Sequence, residues 1–138
     1  KQQQMATTTA SLTLSSSDLT SDALSISATS TLYKAGTTIG LDQVTGLNRK
    51  VYATAQSNAT LISAASYDDN THNRVYIKNV GTSTTDYFTI ELGGSNIVLG
   101  RLYGGDWLFI PYEGEQDIDI SSTATDMELE YMVIYQTA

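Results

Sequence analysis

A chain of 138 residues has the length for one domain with a real core, and its formal charge is −8. That charge repels phosphate backbones and anionic membranes, which argues against nucleic-acid and membrane partners. Cysteine is absent, which excludes disulfides and thiolate metal sites, and no apolar run approaches the ~20 residues of a membrane helix.

Ser and Thr together make up 35 residues, beside nine Tyr and a single Pro. No window carries a sustained helical apolar stripe, so this composition predicts an all-β chain. Residues 1–4 precede Met5 and are set aside from fold reasoning. From residue 5 to 33, fifteen of twenty-nine residues are Ser or Thr, too polar to bury much area against the entropy of ordering. Leu12 and Leu14 alternate in SLTLS, and Leu24, Ile26, Ala28 and Leu32 continue the period of two. At the least, this is an N-terminal arm with one or two edge strands. Alternation without bulk favours a sharper expectation, that the arm orders by adding strands to a neighbouring subunit through Leu12, Leu14, Leu24, Ile26 and Leu32.

Gly36, Gly40 and Gly46 punctuate residues 34–48, which read as a connecting loop. The chain therefore divides into an arm with its loop, 1–48, and a β-domain, 49–138. Arg49 and Lys50 open that domain as solvated charge or as a contact for an acidic neighbour. Strands are predicted at 51–55, 59–65, 74–80 and 86–92, where Val75, Ile77, Phe88 and Ile90 point inward. Residues 97–103 and 107–110 flank Gly104-Gly105, which predicts a tight hairpin closed by Pro111. Trp107, the only Trp, and Phe109 are expected to centre the core there. Further strands follow at 116–121, with Ile118 inward, and at 126–136, with Tyr131 and Val133 inward. The last strand turns apolar on its second face at Met132 and Ile134, so that end should be covered. Eight short strands after residue 50 predict a β-sandwich, jelly-roll-like, or else a small barrel.

Little in the chain carries chemistry. His72 is the only histidine, it lies in the polar loop DDNTHN, and no G-x-S-x-G accompanies it, so no enzyme is expected. Asp68, Asp69, Asn70 and His72 lack the alternation and glycine of a calcium loop and read as a solvated loop. No pattern asks for a metal or a cofactor. Glu113, Glu115, Asp117 and Asp119 alternate and are predicted on one solvated face. Residues 104–138 hold eight acids and no base, an acidic surface suited to a basic partner. Tyr103 and Tyr112 could stack sugars, which keeps a carbohydrate-binding adhesion module as an alternative.

The opening MATTTASLTLSSSDLTSDALS, the joint KAGTTIGLDQVTGLNRKVYA, then RVYIKNVG, GRLYGGDWLFIPYEG and LEYMVIY together span nearly all of the chain from Met5. In that order they resemble a family of small virion structural proteins of tailed bacteriophages, especially those infecting marine cyanobacteria. The resemblance implies a β-sandwich virion component without enzymatic activity. The expected role is a capsid decoration (cement) protein on the outer surface of the shell. It would contact the major capsid protein and further copies of itself as a homo-oligomer. A tail, neck or fibre position is the alternative within the virion.

Overall fold

The computed structural model describes residues 7–93 and 97–136. Alternating Leu, Ser and Thr form β1 (Thr9–Ser16) and β2 (Leu24–Thr31), and the connecting loop holds only the two-residue β3 (Gln43–Val44). β4 (Asn48–Tyr52) and β5 (Ala59–Ile62) follow, and a short 3-10 turn at Ala64–Ser66 comes after them. The remaining strands are β6 (Asn73–Asn79), β7 (Tyr87–Leu92), β8 (Ile97–Tyr103), β9 (Trp107–Tyr112), β10 (Ile118–Ser122) and β11 (Met127–Tyr135). The chain is all-β, as its composition predicted.

Three antiparallel sheets result. β1 and β2 pair with each other alone, one larger sheet runs β5-β10-β7-β8, and the other runs β3-β11-β6-β9 with β4 also on β11. Across the larger sheets β4 pairs with β11, β5 with β10, β6 with β9 and β7 with β8. The stretch from β4 to β7 is thus answered strand by strand by the stretch returning from β8 to β11.

Both sheets supply one core. Ile62, Phe88, Ile90, Leu102, Ile118 and Ile120 come from the first, and Tyr52, Val75, Ile77, Tyr112, Leu129 and Val133 from the second. The Tyr52 ring meets Phe88 edge-on at 6.0 Å and so joins the two layers. Each such side chain removed from water contributes about 1.5–3 kcal/mol. Of the predicted core, Phe88, Ile90, Val75, Ile77, Ile118 and Val133 are buried, and Tyr131 packs against them half-buried.

Trp107 and Phe109 are corrections. Trp107 is 55% exposed and Phe109 half-buried, because β9 pairs with β6 and takes its parity from it. Leu108 opposes Ile77 and Ile110 opposes Val75 on the core face, which leaves Trp107 opposite Lys78 and Phe109 opposite Tyr76 on the outer one. The predicted hairpin is also corrected, since β8 pairs with β7 and β9 with β6 in different sheets. Gly104-Gly105 is instead the corner between the sheets. A Cβ on Gly104 would stand 2.6 Å from the backbone of Thr82 and Ser83, so glycine is needed there for close approach.

The strand predicted at 51–55 begins earlier, at Asn48, where Arg49 reaches Glu128 at 3.2 Å and Glu130 at 3.4 Å on β11. The acidic neighbour of Arg49 therefore lies within the chain. Leu32 is also corrected: at 1% exposure it is buried rather than presented to a partner, and its N–H donates to the Thr8 carbonyl at 2.9 Å.

Candidate functional site

Strand pairing builds two rows across the outer face of the β11-β6-β9 layer. Met132, Tyr76 and Phe109 form one, and Glu130, Lys78 and Trp107 the next. Tyr76 donates its hydroxyl to Glu130 Oε2 at 2.8 Å. Burial first, and then this bond and the nearby carboxylate charge, push the Tyr76 phenol up to about 12. Tyr76 is therefore a neutral, fixed donor, on a face that sets aromatic rings beside Lys78 and Glu130.

The β1–β2 ribbon lies beside this face. Its register opposes Leu12 to Ala28 and Leu14 to Ile26, which puts Ala10, Leu12, Leu14, Leu24, Ile26 and Ala28 on one side. The other side is Thr9, Ser11, Thr13 and Ser15 against Ser25, Ser27, Thr29 and Thr31, with Ser11 and Thr29 hydroxyls 3.1 Å apart. One side of the ribbon is thus mostly apolar, with Ser16 and Ser30 towards its ends, and the other is all hydroxyl. Leu12, Leu14 and Ile26 remain exposed.

Between ribbon and sheet runs an apolar groove of about 650 Å³, lined by Leu12 and Ala28 on one side and Tyr76, Lys78, Trp107 and Phe109 on the other. A second cavity of about 420 Å³ shares Ala10, Tyr76 and Phe109 with it and extends to Leu32, Leu47, Met132 and Ile134. Met132 and Ile134, on the apolar second face of β11, are half-buried there. What the arrangement offers chemically is adhesion, through aromatic and aliphatic surface with a polar rim.

The residues singled out for chemistry lie apart from this groove. His72 Nδ1 is 3.0 Å from the Tyr33 carbonyl, and its backbone N–H donates to Gln136 Oε1 at 3.1 Å, so it ties loop to C-terminal strand. The Thr71 hydroxyl donates to the Asp68 carbonyl at 2.8 Å. Among the described residues no three His, Cys, Asp or Glu side chains converge as metal ligands. Tyr112 is buried and donates its hydroxyl to the Gln116 carbonyl at 2.6 Å, which closes it to sugar stacking. The Tyr103 ring lies 5.0 Å from Tyr87 at a tilt of 49°, and the Arg101 guanidinium sits over Tyr87 at 4.3 Å.

The predicted solvated row of carboxylates is corrected at its end. Glu113 and Glu115 are exposed and precede β10, but Asp119 is only 4% exposed, opposite Glu91 and Thr60 in its sheet. Sequence reasoning missed the groove itself, because Tyr76, Phe109 and Met132 become neighbours only once three distant strands pair. Its one local signal was apolar character on the second face of β9 and β11. No family model, curated protein or solved structure matches the chain.

Proposed function

We propose that the chain is a virion structural protein of a tailed bacteriophage, a decoration protein that binds the outer capsid surface and bridges neighbouring major-capsid subunits. The observation that carries this is the β1–β2 ribbon, whose Leu12, Leu14 and Ile26 stay exposed beside an aromatic groove. An isolated two-stranded ribbon is marginal in water, so an arm of this kind gains its stability on a partner surface. The eight strands from β4 to β11 support a jelly-roll β-sandwich, because their pairings are those of one long hairpin folded over into two sheets. Jelly rolls serve in viral capsids and in lectins, and fold alone does not choose between them. The burial of Tyr112 counts against a sugar platform and favours the capsid.

Many equivalent weak contacts across a shell add through avidity. The test is a double variant, Leu14→Ser with Ile26→Ser, added to shells stripped of the protein. Its melting curve should match that of the unsubstituted chain while shell binding is lost. Binding at the original level would refute attachment through the ribbon.

A further inference from the structure

Glu91 on β7 and Asp119 on β10 stand directly opposite each other in adjacent antiparallel strands. Phe88, Ile90, Ile118 and Ile120 of those strands belong to the core. Both carboxylates therefore lie on the outer face of the β5-β10-β7-β8 sheet, where alternation should leave them in water. Yet Glu91 is 6% exposed and Asp119 4%. Directly opposed residues hold their Cβ atoms about 5 Å apart, and like charges at that spacing are destabilising. Burial sharpens the conflict, because a buried charge must be paired or bound to a metal.

The protein's own groups answer one carboxylate better than the other. Glu91 accepts a hydrogen bond from Ser121 Oγ at 3.1 Å. Asp119 Oδ1 is buried and has no hydrogen-bond partner among the described residues. Arg101 is the one base in the four strands of this sheet. It stands opposite Thr89, and its guanidinium turns away from Glu91, over the Tyr87 ring at 4.3 Å and to the Tyr103 hydroxyl at 3.3 Å. Asp117, two residues along β10, adds a third acid to this face, and its Oδ1 already accepts the Ala64 N–H at 2.7 Å. On the other flank Asp119 faces Thr60, which is exposed.

We infer that Glu91 and Asp119 form a binding site for a hard divalent cation, with calcium the best fit. The donors are all oxygen, which suits calcium or magnesium rather than zinc or copper. Two carboxylates about 5 Å apart at Cβ can both reach one ion at about 2.3–2.6 Å. Calcium takes about 6–8 oxygens in flexible geometry, whereas magnesium demands a near-ideal octahedron. The Thr60 hydroxyl and water entering past that exposed residue complete the shell. Two carboxylates rather than three make the site a weak one, with a dissociation constant on the order of 0.1–1 mM. The ion ties β7 to β10, the two central strands of their sheet, so its effect is on the stiffness of the body. The site uses neither the ribbon nor the groove, and it stands or falls apart from shell attachment.

The experiment is thermal melting of the full chain in EDTA and in 10 mM calcium chloride (about tenfold or more above that constant) at equal ionic strength, beside equilibrium dialysis against radioactive calcium. Calcium should raise the melting temperature by about 5 °C, and dialysis should find one ion per chain. Asp119→Asn should lose both effects, yet melt in EDTA no lower than the unsubstituted chain, since it removes one of two opposed charges. Asp69→Asn removes the same unit of charge from the exposed loop at 67–73 and should keep both effects. A melting temperature indifferent to calcium would overturn the inference. So would an equal shift in all three proteins, or stabilisation by acid alone, which would mean that the pair shares a proton instead.

Discussion

The β1–β2 ribbon and the β4–β11 body obey the same period of two and meet opposite fates. In the body, alternate residues such as Val75, Ile77, Phe88 and Ile90 reach zero exposure, because a second sheet lies across them. In the ribbon the alternation is just as regular, yet Leu12, Leu14 and Ile26 remain exposed. Alternation decides which way side chains point. Only an opposing layer turns that direction into burial. The ribbon is fixed at its root, where Leu32 is buried and bonded to Leu41 and Thr8, and its outer length carries little stabilising area. One region thus holds itself together, and the other offers surface.

Core truncation should separate the two regions most sharply. Phe88→Ala removes a wholly buried ring shared between the sheets and should cost about 3–5 kcal/mol in denaturant unfolding. Leu14→Ala on the ribbon should cost under about 0.5 kcal/mol. Equal costs would mean that the ribbon belongs to the cooperative core. Next in size, Gly104→Ala forces a methyl group to within 2.6 Å of backbone at the sheet-to-sheet corner. A loss of about 1–3 kcal/mol is expected, visible as a lower denaturation midpoint.

Alkali should then loosen the body first. Burial, reinforced by Tyr131, raises Tyr52 to about 12, and burial with nearby Asp117, Tyr67 and Asp69 raises Tyr112 to about 12, both from 10.0. The folded state keeps protons that the unfolded chain releases above pH 10.0, so this contribution is intact below that pH and lost as pH rises towards about 12. The strands of the ribbon contain no Tyr. Tyr52 and Tyr112 should therefore form tyrosinate only together with loss of the core, and their titration ahead of unfolding would contradict their burial. The smallest effect is expected at Trp107, exposed on the groove. Trp107→Ala should change stability by less than about 1 kcal/mol, measured by thermal melting, while weakening shell binding.

How much of this was legible in the sequence follows from locality. Val75, Ile77, Phe88, Ile90, Ile118 and Val133 could be placed in the core because polar partners on alternate positions announce the inward face. Trp-Leu-Phe-Ile offers no such contrast, being apolar on both faces, and side-chain bulk pointed to the wrong one. Only the pairing of β9 with β6 settles it. Gly104-Gly105 looked like a hairpin because a local pattern says that the chain turns, not which strands then pair. The groove was half legible: Met132 and Ile134 signalled an apolar second face on β11, but not that Leu32 and Leu47 line the same cavity. Asp119 shows the same boundary, since its outward parity was readable and its burial depended on neighbours from β5 and β7.

The decoration role is tested most directly by quantitative mass spectrometry of purified virions, scaling this chain against the major capsid protein. A copy number equal to that of the capsid protein, or a fixed simple fraction of it, is expected for a protein that bridges shell subunits. A handful of copies per particle would move the chain to the neck, tail or fibre, and its absence from the particle would contradict a structural role in the virion.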